Sequence, residues 1–327
     1  MKINAGVAMN TIPSTFNARQ INRTVLGGTE KLDKVTMPVT CIVFSRSGNQ
    51  YRSRILSNLL ECGFEHIICV EEQIGVCNTD QISRQFPQVQ FIIALEKVTP
   101  GDLLNMGMSE TTSPYVLVLQ DDLCMEEIPF NSSIAKKLAS LRSYCIVPRL
   151  ITSIQQPLPA NFIPSSSKSV FNVNSTMSIA NGSATLYPYD MVGFYDREKY
   201  IRLGGADYTI ETPYWQNLDL SFRAWLWGEK ISIASSFQFY YSGDVPSEDQ
   251  TANLSYLRFY LKNLLPVFKT DHAEIPKSSF FAFKSRSSCG FSETLKQFND
   301  ARKWTNENKY RFKLDAASLI ENWGKIK

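Results

Sequence analysis

Histidine is nearly missing from this chain: His66 and His272 are the only two in 327 residues. A histidine-based metal cluster or catalytic triad is therefore not expected. Cysteine does not fill the gap, because the seven cysteines lie apart at 41, 62, 69, 77, 124, 145 and 289 and form no Cys-x-x-Cys pair. Neither a disulfide framework nor a structural zinc site is indicated. No apolar run approaches the roughly 18 to 20 residues that span a bilayer, and the opening MKINAGVAMNTIPSTFNARQ lacks the apolar stretch of a signal peptide. The expected location is the cytoplasm. A strong net charge is absent too; +3 is too small to argue for a nucleic-acid partner. Carboxylates are left as the main ligands for any divalent metal, and their oxygens suit magnesium or manganese.

What is present reads as an ordinary globular protein, with 43% hydrophobic and 20% charged residues. The length allows one large domain with an appendage, or two domains. Charge is unevenly spread: from Thr251 onward there are 14 Lys and Arg against 7 Asp and Glu. A basic tail suits an anionic partner, and equally a solvated helical surface.

Residues 1–37 show no clean periodicity and read as an N-terminal extension. From Val39 onward, short apolar runs rich in β-branched residues alternate with helical patterns: strands at 39–44, 66–70, 89–95 and 115–119, helices at 51–60, 79–86 and 101–112. Strands apolar at successive positions are buried on both faces, as in a parallel sheet covered by helices. A helix capped by Asn131 and a strand at 144–147 follow. Residues 153–188 are rich in Ser, Asn and Pro and read as a long excursion holding a hairpin or loop, a candidate wall of an acceptor pocket. Asp196 caps a short helix that Gly204-Gly205 ends, a helix at 214–227 feeds a strand at 230–234, and the last 60 residues read as mostly helical.

Open parallel sheets bind ligands beyond the carboxyl ends of their strands. Polar residues stand at each such end: Ser45, Arg46 and Asn49 after the first strand, Glu71 and Glu72 after the second, Gln120-Asp121-Asp122 after the fourth. The stretch VTPGDLLNMGMSETTSPYVLVLQDDL orders a Gly turn, a helix bearing Asn105 and Gly107, a hydrophobic strand and then acids. This resembles the GT-A glycosyltransferases of the family 2 type, whose strand ends in a metal-binding Asp-x-Asp, and the resemblance covers most of residues 38–241. PVTCIVFSRSGN is similar to the family's opening strand and helix, and HIICVEEQ to its second strand, whose terminal acid contacts the nucleoside. Gln120 stands where the first acid of the motif usually does. The resemblance makes Asp122 the metal ligand and places Asp121 to contact ribose or bound water; alone, such a pair is more often a solvated strand-end turn, and the preceding context reverses that.

A second constellation, GFYDREKYIRLGGADYTIETPYWQNLDLSFRAWLWGEKI, resembles the family's Leu-Gly-Gly turn followed by an acid-bearing helix, nearest in outline to the polypeptide N-acetylgalactosaminyltransferases. Gln216, Asp219 and Arg223 share one helix face, and Asp219 and Arg223 are spaced for an ion pair. The position that usually supplies the base is Asn217, an amide. Three options follow: Asp219 or Asp207 substitutes, the mechanism is retaining, or catalysis has been lost. No histidine follows the next strand, where Tyr241 or Asp244 can replace it. Of the tryptophans, Trp215 is assigned to sugar stacking.

The expected fold class is α/β: a GT-A (Rossmann-like), mostly parallel sheet with helices on both faces, plus a helical C-terminal extension. The expected organisation is an extension at 1–37, a transferase-like domain at 38–245 with donor half 38–125 and acceptor half 126–245, and a basic helical region at 246–327. The resemblance implies transfer of a sugar from a nucleotide-diphosphate donor, a UDP-sugar favoured, with Mn2+ or Mg2+, to a glycan, lipid-linked or protein hydroxyl. Ser45, Arg46, Asn49, Glu71, Glu72, Asn105, Gln120, Asp121, Trp215 and Gln216 are the expected donor contacts. The basic C-terminal region also suits peripheral contact with the inner face of a membrane. The rival readings are a catalytically silent GT-A-like domain that binds nucleotide sugar or glycan, and a sugar-phosphate nucleotidyltransferase, whose usual Gly-rich loop is missing after Phe44.

Overall fold

The first strand carries almost no apolar signal. Arg23–Gly27 (β1) pairs antiparallel with Gln90–Ala94 and is exposed over most of its length. It is seen in the computed structural model, which describes residues 19–46, 51–72, 78–125, 129–167, 170–177 and 180–325. Part of the N-terminal extension thus joins the sheet. An edge strand needs a backbone partner on one side only; here Arg23, Thr24 and Val25 are exposed and Leu26 alone packs against the core, so no hydrophobic alternation marks it.

The alternation read from the sequence then appears element by element. Val39–Phe44 (β2), Arg52–Leu60 (α1), His66–Glu72 (β3), Thr79–Gln85 (α2), Gln90–Ala94 (β4), Pro100–Glu110 (α3) and Tyr115–Gln120 (β5) follow in order. The four strands β4-β3-β2-β5 run parallel. Every residue of β2 is buried because side chains on its two faces enter two different clusters, one around Ile42 and Phe44, the other around Cys41 and Val43. Thr99 and Asp102 form a capping box that starts α3, with Pro100 in its first turn. Gly107 lets that helix lie close on β2, since a Cβ there would sit 2.7 Å from Ile42 Cδ1.

The second half adds Leu123–Cys124 (β6), Ser132–Ser140 (α4), Cys145–Ile151 (β7), the hairpin Asn161–Ser167 (β8) with Val170–Thr176 (β9), Gly193–Asp196 (β10), Arg197–Arg202 (α5), Pro213–Leu226 (α6) and Ile231–Tyr241 (β11). Among the described residues the central sheet has nine strands in the order β1-β4-β3-β2-β5-β10-β7-β11-β6, mostly parallel, with β10 inserted antiparallel between β5 and β7. The excursion at 153–188 does hold a hairpin. Asn131 and Asp196 cap their helices as expected, each accepting backbone N–H bonds.

Helices Leu254–Phe259 (α7, continued by a π-helical turn at Tyr260–Leu264), Ser279–Arg286 (α8), Phe291–Asn308 (α9) and Ala316–Glu321 (α10) end the chain. Phe259, Trp304, Leu319 and Trp323 pack into the same cluster as Leu218, Phe222 and Trp225 of α6. The C-terminal region is helical as expected and shares the core of the sheet domain.

One topological feature positions the site. From β2 the chain goes to β3 and β4 on one side, then crosses back to β5 on the other. The helices that follow β2 and β5 diverge at that reversal, and a crevice opens beyond the carboxyl ends of the two strands.

Candidate active site

Phe44 and Gln120 are register partners at the ends of β2 and β5, so the residues after each strand emerge side by side. Asp121 is fully buried and organises the junction. Its N–H donates to Phe44 O at 2.9 Å, and its carboxylate accepts from Ser45 Oγ and from the Arg46 N–H, both at 3.1 Å. The acid thereby fixes the turn that presents Arg46.

The Arg46 side chain bridges two carboxylates. Nη2 donates to Asp122 Oδ1 at 3.0 Å and Nε to Asp122 Oδ2 at 3.2 Å, while Nη1 donates to Asp190 Oδ1 at 2.8 Å. Burial opposes its charge, and Asp190 and Asp122 more than offset that, raising its pKa further. Asp190 lies in the turn Tyr189–Met191 with φ of 55°, in the left-handed region that Asp tolerates better than most residues. Gln120 Nε2 donates to the Asp190 carbonyl at 2.9 Å and Tyr241 Oη donates to Asp190 Oδ2 at 3.0 Å, which together hold the strained turn in place. The amide at the first motif position is therefore a tether for the opposing acid.

A cleft of about 310 Å³ opens over this cluster, lined by Ser45, Arg46, Gln120, Asp190, Tyr214, Asn217 and Glu248 among others. Burial pushes Asp190 up to about 6, with Arg46 pulling it back. Burial likewise pushes Glu248 up to about 7. Glu248 accepts from Tyr187 Oη at 2.6 Å, and Tyr187 stacks on Phe162 of β8 at 4.4 Å between ring centres. Asn217 does reach the cleft, its Nδ2 donating to Pro188 O at 2.7 Å.

Other expected site residues go elsewhere. Asp207 and Asp219 are both fully buried beneath the C-terminal helices: Lys262 Nζ lies 2.6 Å from Asp207 Oδ2 and 3.0 Å from Asp219 Oδ2, and Arg223 Nη1 lies 2.7 Å from Asp219 Oδ2. The structure does not bring either carboxylate to the cleft. Trp215 packs among Tyr214, Tyr256 and Phe259 with its indole N–H on Thr251 O, so its ring face is used by the core. Gln216 clamps α6 to α3 through Gly101 N and Thr99 Oγ1, and Asn105 ties α3 to Ala206 and Tyr200. Glu71 is closed off by Arg52 and Thr79, and Glu72 accepts from Val98 N at 3.1 Å. Asn49 lies outside the described residues.

Asp190, Tyr187 and Glu248 were not read from the sequence as site residues. Nothing local distinguishes them; Asp190 acts through a backbone turn, and Glu248 through a tyrosine 61 positions away. The one available signal is that SSFQFYYSGDVPSED, the segment in which the family usually carries a histidine, holds Tyr241 and Glu248, both of which face this cluster.

The donor set can be tested against a divalent metal. Asp122 and Asp190 supply hard carboxylate oxygens on two sides of one guanidinium, the ligand type that magnesium and manganese take. Asp121, Asp122, Asp190 and Glu248 outnumber Arg46, and burial raises both Asp190 and Glu248, so a cation bound beside them would offset the cost of keeping them ionised. Among the described residues no group of three or more His, Cys, Asp and Glu gathers as a ready-made metal cage. The set thus fits a cation held by one or two acids and completed by phosphate oxygens and water.

Comparison by structure gives the frame a name. The chain is similar in structure to GalNAc-T7, solved with UDP, GalNAc and Mn2+, with a TM-score of 0.56 and 11% identity over 87% of this chain and 57% of that one. The fold is GT-A. It is also similar to S. aureus TarS, with a TM-score of 0.49 and 14% identity over 69% of this chain. The chain spans 38% of that TarS structure's length, and 74% of the TarS 1–349 fragment solved with UDP-GlcNAc, where the TM-score is 0.46. No sequence-family model and no curated protein matches the chain. Within the GT-A frame the Arg46 cluster lies at the crevice where this sheet reverses. Among the described residues no helix is long and apolar enough to cross a membrane.

Proposed function

We propose that the chain is a glycosyltransferase that moves a sugar from a nucleotide-diphosphate donor to a hydroxyl acceptor, assisted by Mn2+ or Mg2+. The observation that carries this reading is the Arg46 bridge between Asp122 and Asp190, at the switch point of a GT-A sheet and at the floor of a cleft. A diphosphate becomes more negative as its bond to the sugar breaks, so positive charge at its oxygens stabilises the transition state more than the ground state. Arg46 supplies such charge from the protein. Asp122, with Asp190, would hold the metal, which when bound neutralises charge on the leaving diphosphate. Asp121 and Ser45 set the loop on which Arg46 rides, and Gln120 keeps Asp190 aimed inward. A uracil base is favoured for the donor because the GT-A neighbour was solved with UDP. A glycan, a lipid-linked or a protein hydroxyl fits the acceptor side, which the β8–β9 hairpin flanks, and the basic tail suits an acceptor at an anionic membrane surface.

A second reading has its own support: Gln120 and Asn217 are amides where the family usually carries acids, which favours a silent domain that binds nucleotide sugar without turning it over. One titration separates them. With Mn2+ and a panel of UDP-, GDP- and TDP-sugars, the transferase reading expects metal-dependent binding and slow donor hydrolysis that Asp122→Asn lowers by about 100-fold or more. Tight binding without turnover favours the silent domain, and no binding of any donor sinks both.

A further inference from the structure

We propose that Glu248 is the catalytic base, the group that takes the proton of the acceptor hydroxyl as that oxygen attacks the anomeric carbon. The assignment rests on the transferase reading above and adds the residue that Asn217 cannot replace, since an amide has no basic lone pair at neutral pH.

A census of the carboxylates leads to it. Asp121 is fully buried and spends both oxygens on Ser45 and on the Arg46 N–H. Asp122 and Asp190 are both engaged by the Arg46 guanidinium, and Asp190 accepts from Tyr241 Oη as well, so their oxygens are already committed. Asp207 and Asp219 are sealed around Lys262. Asp249 lines the cleft, but the Thr251 hydroxyl and N–H hold its pKa below the usual value, making it a poorer base. Glu248 is different: it lines the cleft, and among the described residues no cation pairs with it. Its Oε2 accepts from a neutral donor, Tyr187 Oη, which fixes the side chain and leaves Oε1 for the acceptor.

The surroundings suit the task. Tyr187, Tyr189 and Asp190 face Glu248 from the segment before β10, Tyr214 from α6, and Arg46 stands across the cleft on Asp190 and Asp122. Burial raises Glu248 to about 7, against the lowering effect of the Tyr187 hydrogen bond and with a further push from the Asp190 charge. Such a base is ionised in useful amount at neutral pH while holding a proton firmly enough to pull it from a hydroxyl. The step balances: the O–H proton passes to Glu248, the acceptor oxygen bonds to the anomeric carbon, and the bond from that carbon to the phosphate oxygen breaks with its electron pair leaving on the diphosphate. Glu248 then releases the proton to water.

The test uses the full chain with Mn2+ and the sugar-nucleotide panel, following donor hydrolysis, with water as acceptor, from about pH 5 to 9, together with donor affinity by calorimetry. For the wild type, kcat rises with pH along an acid limb and then levels off. Glu248→Gln is expected to lose about 100-fold or more in kcat, and the acid limb with it, while donor affinity stays within about threefold. Glu248→Asp keeps the limb at a reduced rate. Tyr187→Phe moves the limb to higher pH, because the hydrogen bond it removes favours the ionised carboxylate. Turnover that Glu248→Gln leaves within about threefold, or with its acid limb intact, overturns Glu248 while the transferase reading stands. Donor that binds and is never turned over overturns Glu248 and favours the silent domain. Absence of donor binding in the wild type sinks the reading and the assignment together.

Discussion

At the scale of single residues, the two charge clusters of this protein behave oppositely. Around Lys262 the charges are matched and sealed: Asp207, Asp219, Arg223 and Lys262 are all at 1% exposure or less, and Asn263 Nδ2 donates to Asp219 Oδ1 at 2.7 Å. Lys262→Met removes one cation and leaves a buried carboxylate uncompensated, so thermal and denaturant unfolding should show a loss of about 3–5 kcal/mol. For Asp207, burial raises the pKa, but Lys262 and Thr209 outweigh it and the folded value lies below 3.8. A depressed acid stabilises the fold fully above the unfolded value of 3.8 and loses that contribution as pH falls through the folded value. Acid unfolding of Lys262→Met should therefore begin at higher pH than that of the wild type. Glu248 works the other way, because its folded value of about 7 exceeds the ordinary 4.5. Its contribution is full below 4.5 and is lost as pH rises through about 7. Denaturant unfolding at pH 5 and 8 checks the sign: Glu248→Gln should flatten the fall in stability between those values that the wild type shows. These roles were only half legible. Asp219 and Arg223 are four apart on a helix, and their ion pair could be read from spacing, whereas Lys262 reaches them from 43 residues away.

At the scale of elements, the contact between α3 and α6 determines the shape of the cleft wall. Gly101 lies where a Cβ would come 2.4 Å from Gln216 Cδ and 2.6 Å from Ala206 Cβ. Gly101→Ala therefore forces the two helices apart, with an expected loss of about 1–3 kcal/mol and a lower melting temperature. Most elements were visible in the chain before this packing was known, because a strand buried on both faces must be apolar throughout and a helix start needs a capping side chain. VTCIVF, YVLVLQ and the caps at Asn131 and Asp196 are examples. β1 was not visible, since most of its side chains are exposed and Val25 beside Leu26 makes no alternating pattern. The continuation of β11 from Ala234 to Tyr241 was hidden for another reason. Its pairing with β7 shifts register between Ile233 and Gln238, so the inward-facing set changes partway along the strand.

For the whole molecule, the basic helical tail and the sheet domain share one apolar core. Phe259, Trp304 and Trp323 fill the cluster around α6, and Lys262 and Asn263 close its buried acids. The 327-residue chain should unfold in one calorimetric transition, and a fragment ending at residue 250 should fail to give a folded, protease-resistant species, because truncation exposes that apolar surface and strips Asp207 and Asp219 of Lys262. What the sequence by itself determined is the order of strands and helices, the class of sheet and the place where acids gather at the end of β5, because each depends on patterns between near neighbours in the chain. Only the tertiary structure decided which acids face the cleft. Asp207 and Asp219 turn inward to a lysine from the tail, while Asp190 and Glu248 turn outward, held by Arg46 and Tyr187. Burial and charge pairing set a carboxylate's chemistry, and both come from residues tens of positions away.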